Sequence, residues 1–256
     1  MKNKYPFFLA VVLSLLSLVV IGLVFIQKSS PTLPPQPSSA VGSPIDRKVP
    51  NITLIGENSK AVSLSSFRGK TVVFTDFLTL CQEACPMTTA AFSQMQQTIN
   101  KDHLSNKIVF VEATVDPKRD TPARLAAYAK LTGATWPLLT GTRTNLDKLW
   151  KFFGVYHKII PPPNPPGIDW LTGKPLTYDV AHTDALFIIG PHGNERFVSQ
   201  GIPNVGGKLT PALYKMLDPL GKYNLKHPDG WSVPQALSAI AWVARTPIKY
   251  HPPKTL

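Results

Sequence analysis

The residues with the most chemistry in this chain are Cys81 and Cys85, its only 2 cysteines, set in the stretch Cys81-Gln82-Glu83-Ala84-Cys85-Pro86. They follow the β-branched, apolar run Thr71 to Leu78 and precede a helical pattern that opens at Pro86. Proline suits the first helical position, which puts Cys85 near an N-cap and Cys81 in the loop at the end of a strand. A thiol placed there feels the positive end of the helix dipole, which lowers its pKa and populates the thiolate. Thiolate is both the nucleophile of disulfide exchange and a soft metal ligand. A purely structural disulfide is the other reading, but closing so short a loop removes little entropy from the unfolded chain. The pair therefore reads as a redox or metal site.

Metal binding asks for a third ligand, and the chain has 6 histidines. His182 stands out because Thr183-Asp184 and the apolar run Ala185 to Ile189 follow it directly, so it sits at the end of a strand. In an α/β sheet, neighbouring strands bring such an end within reach of the loop carrying Cys81 and Cys85. Two thiolates and one imidazole suit Cu(I), and with an added weak ligand Cu(II). His103, His157, His192, His227 and His251 have no such placement. On residues alone, a redox dithiol beside a structural His182 stays open.

The elements that must position these groups alternate between apolar runs and helical patterns, which argues for an α/β layer structure. Strands are expected over Thr71 to Leu78, Ile108 to Val115 and Ala185 to Ile189, the last forming a hairpin with Arg196 to Ser199 through the turn at 190–194. Helices are expected from Pro86 to Asn100, from Pro122 to Leu131 with Thr121 as N-cap and Gly133 as stop, and from Leu146 to Phe153.

The flanks set the compartment. Residues 6–26 form an apolar run just long enough to cross a bilayer core of about 30 Å, and Lys2 and Lys4 before it favour a cytoplasmic N-terminus. The run is longer than the apolar part of a cleaved signal peptide. The expected layout is a cytoplasmic N-terminus at 1–5, a transmembrane anchor at 6–26, a Pro/Ser-rich spacer at 27–48, a folded domain at 49–220 and a C-terminal extension at 221–256, all beyond the anchor lying on the periplasmic or outer face. In the extension, Trp231 to Arg245 reads as a helix broken early by Pro234, packed on the domain or lying on the membrane. The segment Ile159 to Gly167 reads as a stiff, exposed, proline-dense loop. A net charge of +12 is scattered rather than gathered into a stripe, and with the domain outside the cytoplasm it argues against a nucleic-acid partner.

The segment Ser63-Leu64-Ser65-Ser66-Phe67-Arg68-Gly69-Lys70 leads into a strand, followed by the Cys-x-x-x-Cys-Pro stretch, Val115-Asp116-Pro117-Lys118-Arg119-Asp120-Thr121-Pro122, Ala181-His182-Thr183 and Ile189-Gly190-Pro191. In order and spacing these segments resemble the SCO/SenC copper-chaperone family. The resemblance implies a thioredoxin-like central sheet flanked by helices, a single N-terminal membrane helix, and copper held by Cys81, Cys85 and His182. It also implies a non-enzymatic role in assembling the CuA centre of cytochrome c oxidase subunit II or another cupredoxin-type acceptor. That role is served either by delivering copper or by reducing the acceptor's cysteines. The alternative is a thiol-disulfide oxidoreductase; a thioredoxin-superfamily peroxidase fits less well. Many members carry an aspartate just before the histidine, where this chain has Ala181, so Asp179 or Asp184 is expected to orient the imidazole. Asp116 reads either as a turn residue before Pro117 or as a support behind the site.

Overall fold

Runs of β-branched and aromatic residues, several of them buried along their whole length, build the centre of the molecule, as strands covered on both faces require. The computed structural model describes residues 32–252. The expected N-terminal segment 1–5 and anchor 6–26 lie outside the described residues, and among the described residues no helix is long and apolar enough to cross a membrane.

The strands, in chain order, are β1 Ser43–Lys48, β2 Thr53–Gly56, β3 Ala61–Ser63, β4 Thr71–Phe77, β5 Ile108–Thr114, β6 Leu138–Thr140, β7 His157–Ile160, β8 Asp179–His182, β9 Ala185–Ile189 and β10 Asn194–Gln200. An 8-stranded sheet runs in the order β1-β10-β9-β4-β5-β6-β2-β3, while β7 and β8 pair as a separate ribbon. The pairs β4–β5 and β5–β6 are parallel and β4–β9 is antiparallel. The parallel pairs need crossovers, which are the helices α1 Cys85–Lys101 and α2 Pro122–Thr132. Both central strands stop one residue before the expected end, and β9 matches its expected bounds.

Helix α2 starts and stops on the expected signals, with Thr121 Oγ1 accepting from Arg124 N and Gly133 in the left-handed conformation at φ 76°. Helix α3, Arg143–Phe153, begins a turn earlier than expected because Thr142 caps it. It lays Trp150 flat against Phe74 at 5.5 Å between ring centroids and tilts Phe153 onto Phe74 and Phe187, which joins α3 to β4 and β9.

Two boundaries differ from the sequence expectation. Within the segment read as spacer, Ser43–Lys48 is a strand, paired antiparallel with β10, and Arg47 donates to Glu195 Oε2 through Nε at 3.1 Å and Nη2 at 2.7 Å. At the other end α4 Pro211–Met216 closes the expected domain, α5 Pro219–Lys226 runs across the expected boundary at 220, and α6 Val233–Ala244 lies in the extension. Pro234 does not break α6. It lies in the first turn, where its missing N–H costs nothing, behind a Ser232/Gln235 capping box. Helix α6 buries Val233, Ala236, Leu237, Ala239, Ile240 and Ala241 against the sheet, so it belongs to the core rather than to the surface.

Candidate metal centre

Beyond Phe77 the chain leaves β4 through Leu78-Thr79-Leu80 and turns at 81–84 into α1, with Cys85 and Pro86 opening the helix. The N-cap residue, Ala84, has no side-chain oxygen to offer. The Cys81 sulfur takes that place, accepting from Ala84 N at 3.4 Å and from Cys85 N at 3.4 Å. The first helical N–H groups, which have no partner within the helix, thus point at a sulfur and favour its anionic form.

His182 ends β8. Its Nδ1 lies 2.6 Å from Asp76 Oδ2 and 2.9 Å from Thr183 O, both acceptors, so Nδ1 carries the proton and donates. That leaves Nε2 facing the Cys85 Sγ at 3.6 Å. The donor atoms of Cys81, Cys85 and His182 all lie within 4.8 Å of one another, and this is the group of His, Cys, Asp and Glu side chains among the described residues that could hold a metal. All three are withdrawn from water: Cys81 is 9% and Cys85 1% exposed, and the His182 side chain 5%. The sequence therefore located three side chains that the fold does bring together.

The charges follow from this packing. A hydrogen bond from the Cys85 thiol, helped by His182 and the Ala84 N–H against the cost of burial, holds Cys81 well below the ordinary thiol value. Burial, together with the Cys81 charge, pushes Cys85 well above it. Burial works against charge on His182, but the hydrogen bond to Asp76 and the neighbouring Cys81 outweigh it and raise the imidazole well above 6.5. The shifts act in one sense: the packing favours negative charge on the Cys81 sulfur and retention of the proton on Cys85 and on the imidazole. Burial also lifts Glu83 to about 7 and Asp184 to about 7, in each case with a contribution from the Cys81 charge.

The residue that orients the imidazole is neither Asp179 nor Asp184. Asp179 Oδ1 is used by Val180 N at 2.7 Å, and no hydrogen bond joins Asp184 to His182 among the described residues. Asp76 does the work from the middle of the sheet, its other oxygen accepting from Ala185 N at 3.3 Å. The available signal was a lone carboxylate in the otherwise apolar β4. Asp116 is more than a turn residue: it pairs with Arg119 and accepts from the Tyr178 hydroxyl at 3.1 Å, while Arg119 Nη1 donates to Tyr178 O at 2.8 Å. That bracket fastens the start of β8 and so the strand that delivers His182. Asp120, buried and raised to about 6 by burial, takes the Thr79 hydroxyl at 2.5 Å and the Thr79 N at 3.2 Å, tying down the approach to the cysteine loop. Of the other histidines, His157, which faces His182 across the β7–β8 ribbon, pairs with Asp147, and His251 pairs with Asp102; neither belongs to the group of donor atoms.

A family model described as SCO1/SenC matches residues 44–201. A protein of Stutzerimonas stutzeri named for copper binding is 27% identical over 155 residues, covering 60% of this chain and 69% of its own. The SCO1 protein homolog of Bacillus subtilis (strain 168) is 26% identical over 171 residues, covering 64% of this chain and 79% of its own. The crystal structure of a SCO1/SenC family lipoprotein from Bacillus anthracis str. Ames superposes with a TM-score of 0.51 at 25% identity, over 69% of this chain and 97% of that one. The α/β sandwich described above is thus the thioredoxin-like fold expected from the sequence.

Proposed function

From the premise that the chain belongs to the SCO1/SenC family, we propose that it is a copper carrier that holds one ion between Cys81, Cys85 and His182. We further propose that it passes the ion to the CuA centre of cytochrome c oxidase subunit II or to another cupredoxin-type acceptor. The observation that carries this is the enclosed group of two sulfurs and one imidazole nitrogen, with Nε2 turned toward the Cys85 sulfur and away from the Asp76 carboxylate. Soft thiolates select Cu(I), and a set of only three protein donors leaves the ion open to an incoming thiolate. Cys81 meets the ion as thiolate; Cys85 and His182 Nε2 give up their protons as it binds, so uptake releases protons. Asp76 keeps the proton on Nδ1 and fixes the orientation of the ring, so that Nε2 is the nitrogen the imidazole would offer to the ion. The setting we propose is a single-pass anchor at 6–26 with the N-terminus in the cytoplasm and the domain on the periplasmic or outer face, which the basic flank of the apolar run supports.

A second reading is a thiol-disulfide oxidoreductase acting on an extracytoplasmic partner, favoured by the Cys81 thiolate at the head of a helix beside an unbonded Cys85. Anaerobic titration of the reduced, full 256-residue chain with Cu(I) against a competing chelator separates the two. Copper carriage requires tight one-to-one binding that Cys81→Ser, Cys85→Ser and His182→Ala each abolish. Weak binding by the unaltered chain, with disulfide exchange intact, would establish the redox reading instead.

A further inference from the structure

The family match ends at residue 201, yet the chain beyond it returns to the metal loop. Asp218 N donates to Gln82 O at 3.1 Å, and Asn224 Nδ2 to Glu83 O at 3.4 Å. Gly221, in the first turn of α5, lies so close to the loop that a Cβ there would stand 2.2 Å from Gln82 O. The end of the proline-dense segment meets the side chain of the same residue: Gln82 Nε2 donates to Ile168 O at 3.0 Å, and a Cβ on Gly167 would stand 2.2 Å from Gln82 Oε1. The peptide units between the two cysteines are thus gripped through their carbonyls, while the N–H groups of Ala84 and Cys85 turn the other way, onto the Cys81 sulfur. Both carbonyls belong to partly buried residues, and the donors that satisfy them come from outside the matched region.

We infer that Asp218 and Gly221, at the head of α5, and Asn224, one turn further on, are positioning residues for the metal loop, fixing its backbone so that both sulfurs and the His182 imidazole stay at chelating distance. The inference rests on the copper reading of the same site. Among the described residues it gives the segment that follows the family match a role in ion affinity.

Two substitutions at one position isolate the contact. Asp218 has φ −76° and is preceded by Leu217 at ψ 129°, a geometry that proline adopts and that its predecessor tolerates. Asp218→Ala and Asp218→Pro both lose the carboxylate that accepts from Gly221 N at 2.6 Å, but only Asp218→Pro also loses the N–H that holds Gln82. The alanine variant is the baseline. Against it, Asp218→Pro is expected to bind Cu(I) about fivefold more weakly, the size of one net backbone hydrogen bond. In copper-free protein, the thiol–disulfide equilibrium constant of Cys81 and Cys85 against glutathione is expected to change by a similar factor, whereas a merely structural contact would lower Tm and leave both constants unchanged. Gly221→Ala, which raises helix propensity elsewhere, is expected to weaken Cu(I) binding because its methyl displaces the loop, and it carries the test if Asp218→Pro does not fold. Equal affinities and equal equilibrium constants across the three variants would overturn the inference. If the unaltered chain binds no Cu(I) but the equilibrium constants still differ, the copper reading falls and the positioning role stands.

Discussion

Replacing Asp76 with asparagine tests the logic of the site without touching a ligand. The side chain is buried, accepts from His182 Nδ1 at 2.6 Å with one oxygen and from Ala185 N at 3.3 Å with the other. Asparagine keeps the volume but has only one oxygen. If its oxygen stays on Ala185 N, its amide faces Nδ1 as a donor and drives the imidazole to the tautomer with Nε2 protonated, which cannot coordinate. If the oxygen stays on Nδ1, a donor confronts the Ala185 N–H and the buried charge that makes Nδ1–H a strong donor is gone. Either way, loss of the partner that orients a ligating histidine costs roughly 10- to 100-fold in metal affinity, or about 1.4–2.7 kcal/mol. Anaerobic chelator competition at pH 7.5 would read this directly. The sign of the pH dependence adds a check. Asp76 raises His182, so in the unaltered chain protons compete with the ion up to higher pH; without it that competition starts lower. The deficit of Asp76→Asn is therefore expected to narrow as pH falls. An affinity within threefold of the unaltered chain at pH 7.5, or a deficit that widens on acidification, would refute the reasoning.

His182→Ala is expected to abolish tight Cu(I) binding while leaving disulfide exchange with a small dithiol measurable, since both sulfurs remain; unchanged copper affinity would mean the ligand set is wrong. Glu112, fully buried on β5 with Thr89 Oγ1 at 3.2 Å, is raised by burial from 4.5 to about 7. Its contribution to stability is therefore fully present below 4.5 and is lost as pH rises through 7, amounting to about 3 kcal/mol. Urea denaturation of Glu112→Gln should show that fall removed between those pH values, and slopes identical to the unaltered chain would contradict the assignment. Ile240→Ala, at a fully buried position of α6, is expected to cost about 2–5 kcal/mol in the same assay. A loss under about 1 kcal/mol would mean that the extension is not part of the core.

What the sequence made legible follows from how local each signal is. Cys81 and Cys85 share one loop and His182 adjoins a strand, so the sheet had only to place two ends side by side. Asp76 was visible as an anomaly in an apolar strand, but its partner is 106 residues away and depends on β4 pairing with β9, which no local pattern states. Helix α2 carried both cap signals and was read almost to the residue. Helix α3 was read short because its first turn, Arg143 to Asn145, is polar and only Thr142 announces it. Pro234 was read as a breaker because its effect reverses with position, and the Ser232/Gln235 pair that fixes that position is a subtler mark than the proline. Strand β1, Ser-Pro-Ile-Asp-Arg-Lys, has no apolar alternation at all; it exists because β10 offers it a partner.

That strand decides which edge the sheet presents to its surroundings. β10 would otherwise present a row of unpaired N–H and C=O groups along seven residues, a ready template for a second copy. β1 occupies that row with mostly exposed, charged residues, and its Arg47 neutralises Glu195, which has no exposed surface of its own. A soluble form begun at Val49 would shed both, leaving an uncompensated carboxylate beside an open seam, and self-association through β10 is the expected result. One begun upstream of Ser43 keeps that seam closed with a short, charged, proline-containing edge, so the choice of first residue decides which strand edge is presented in a binding measurement.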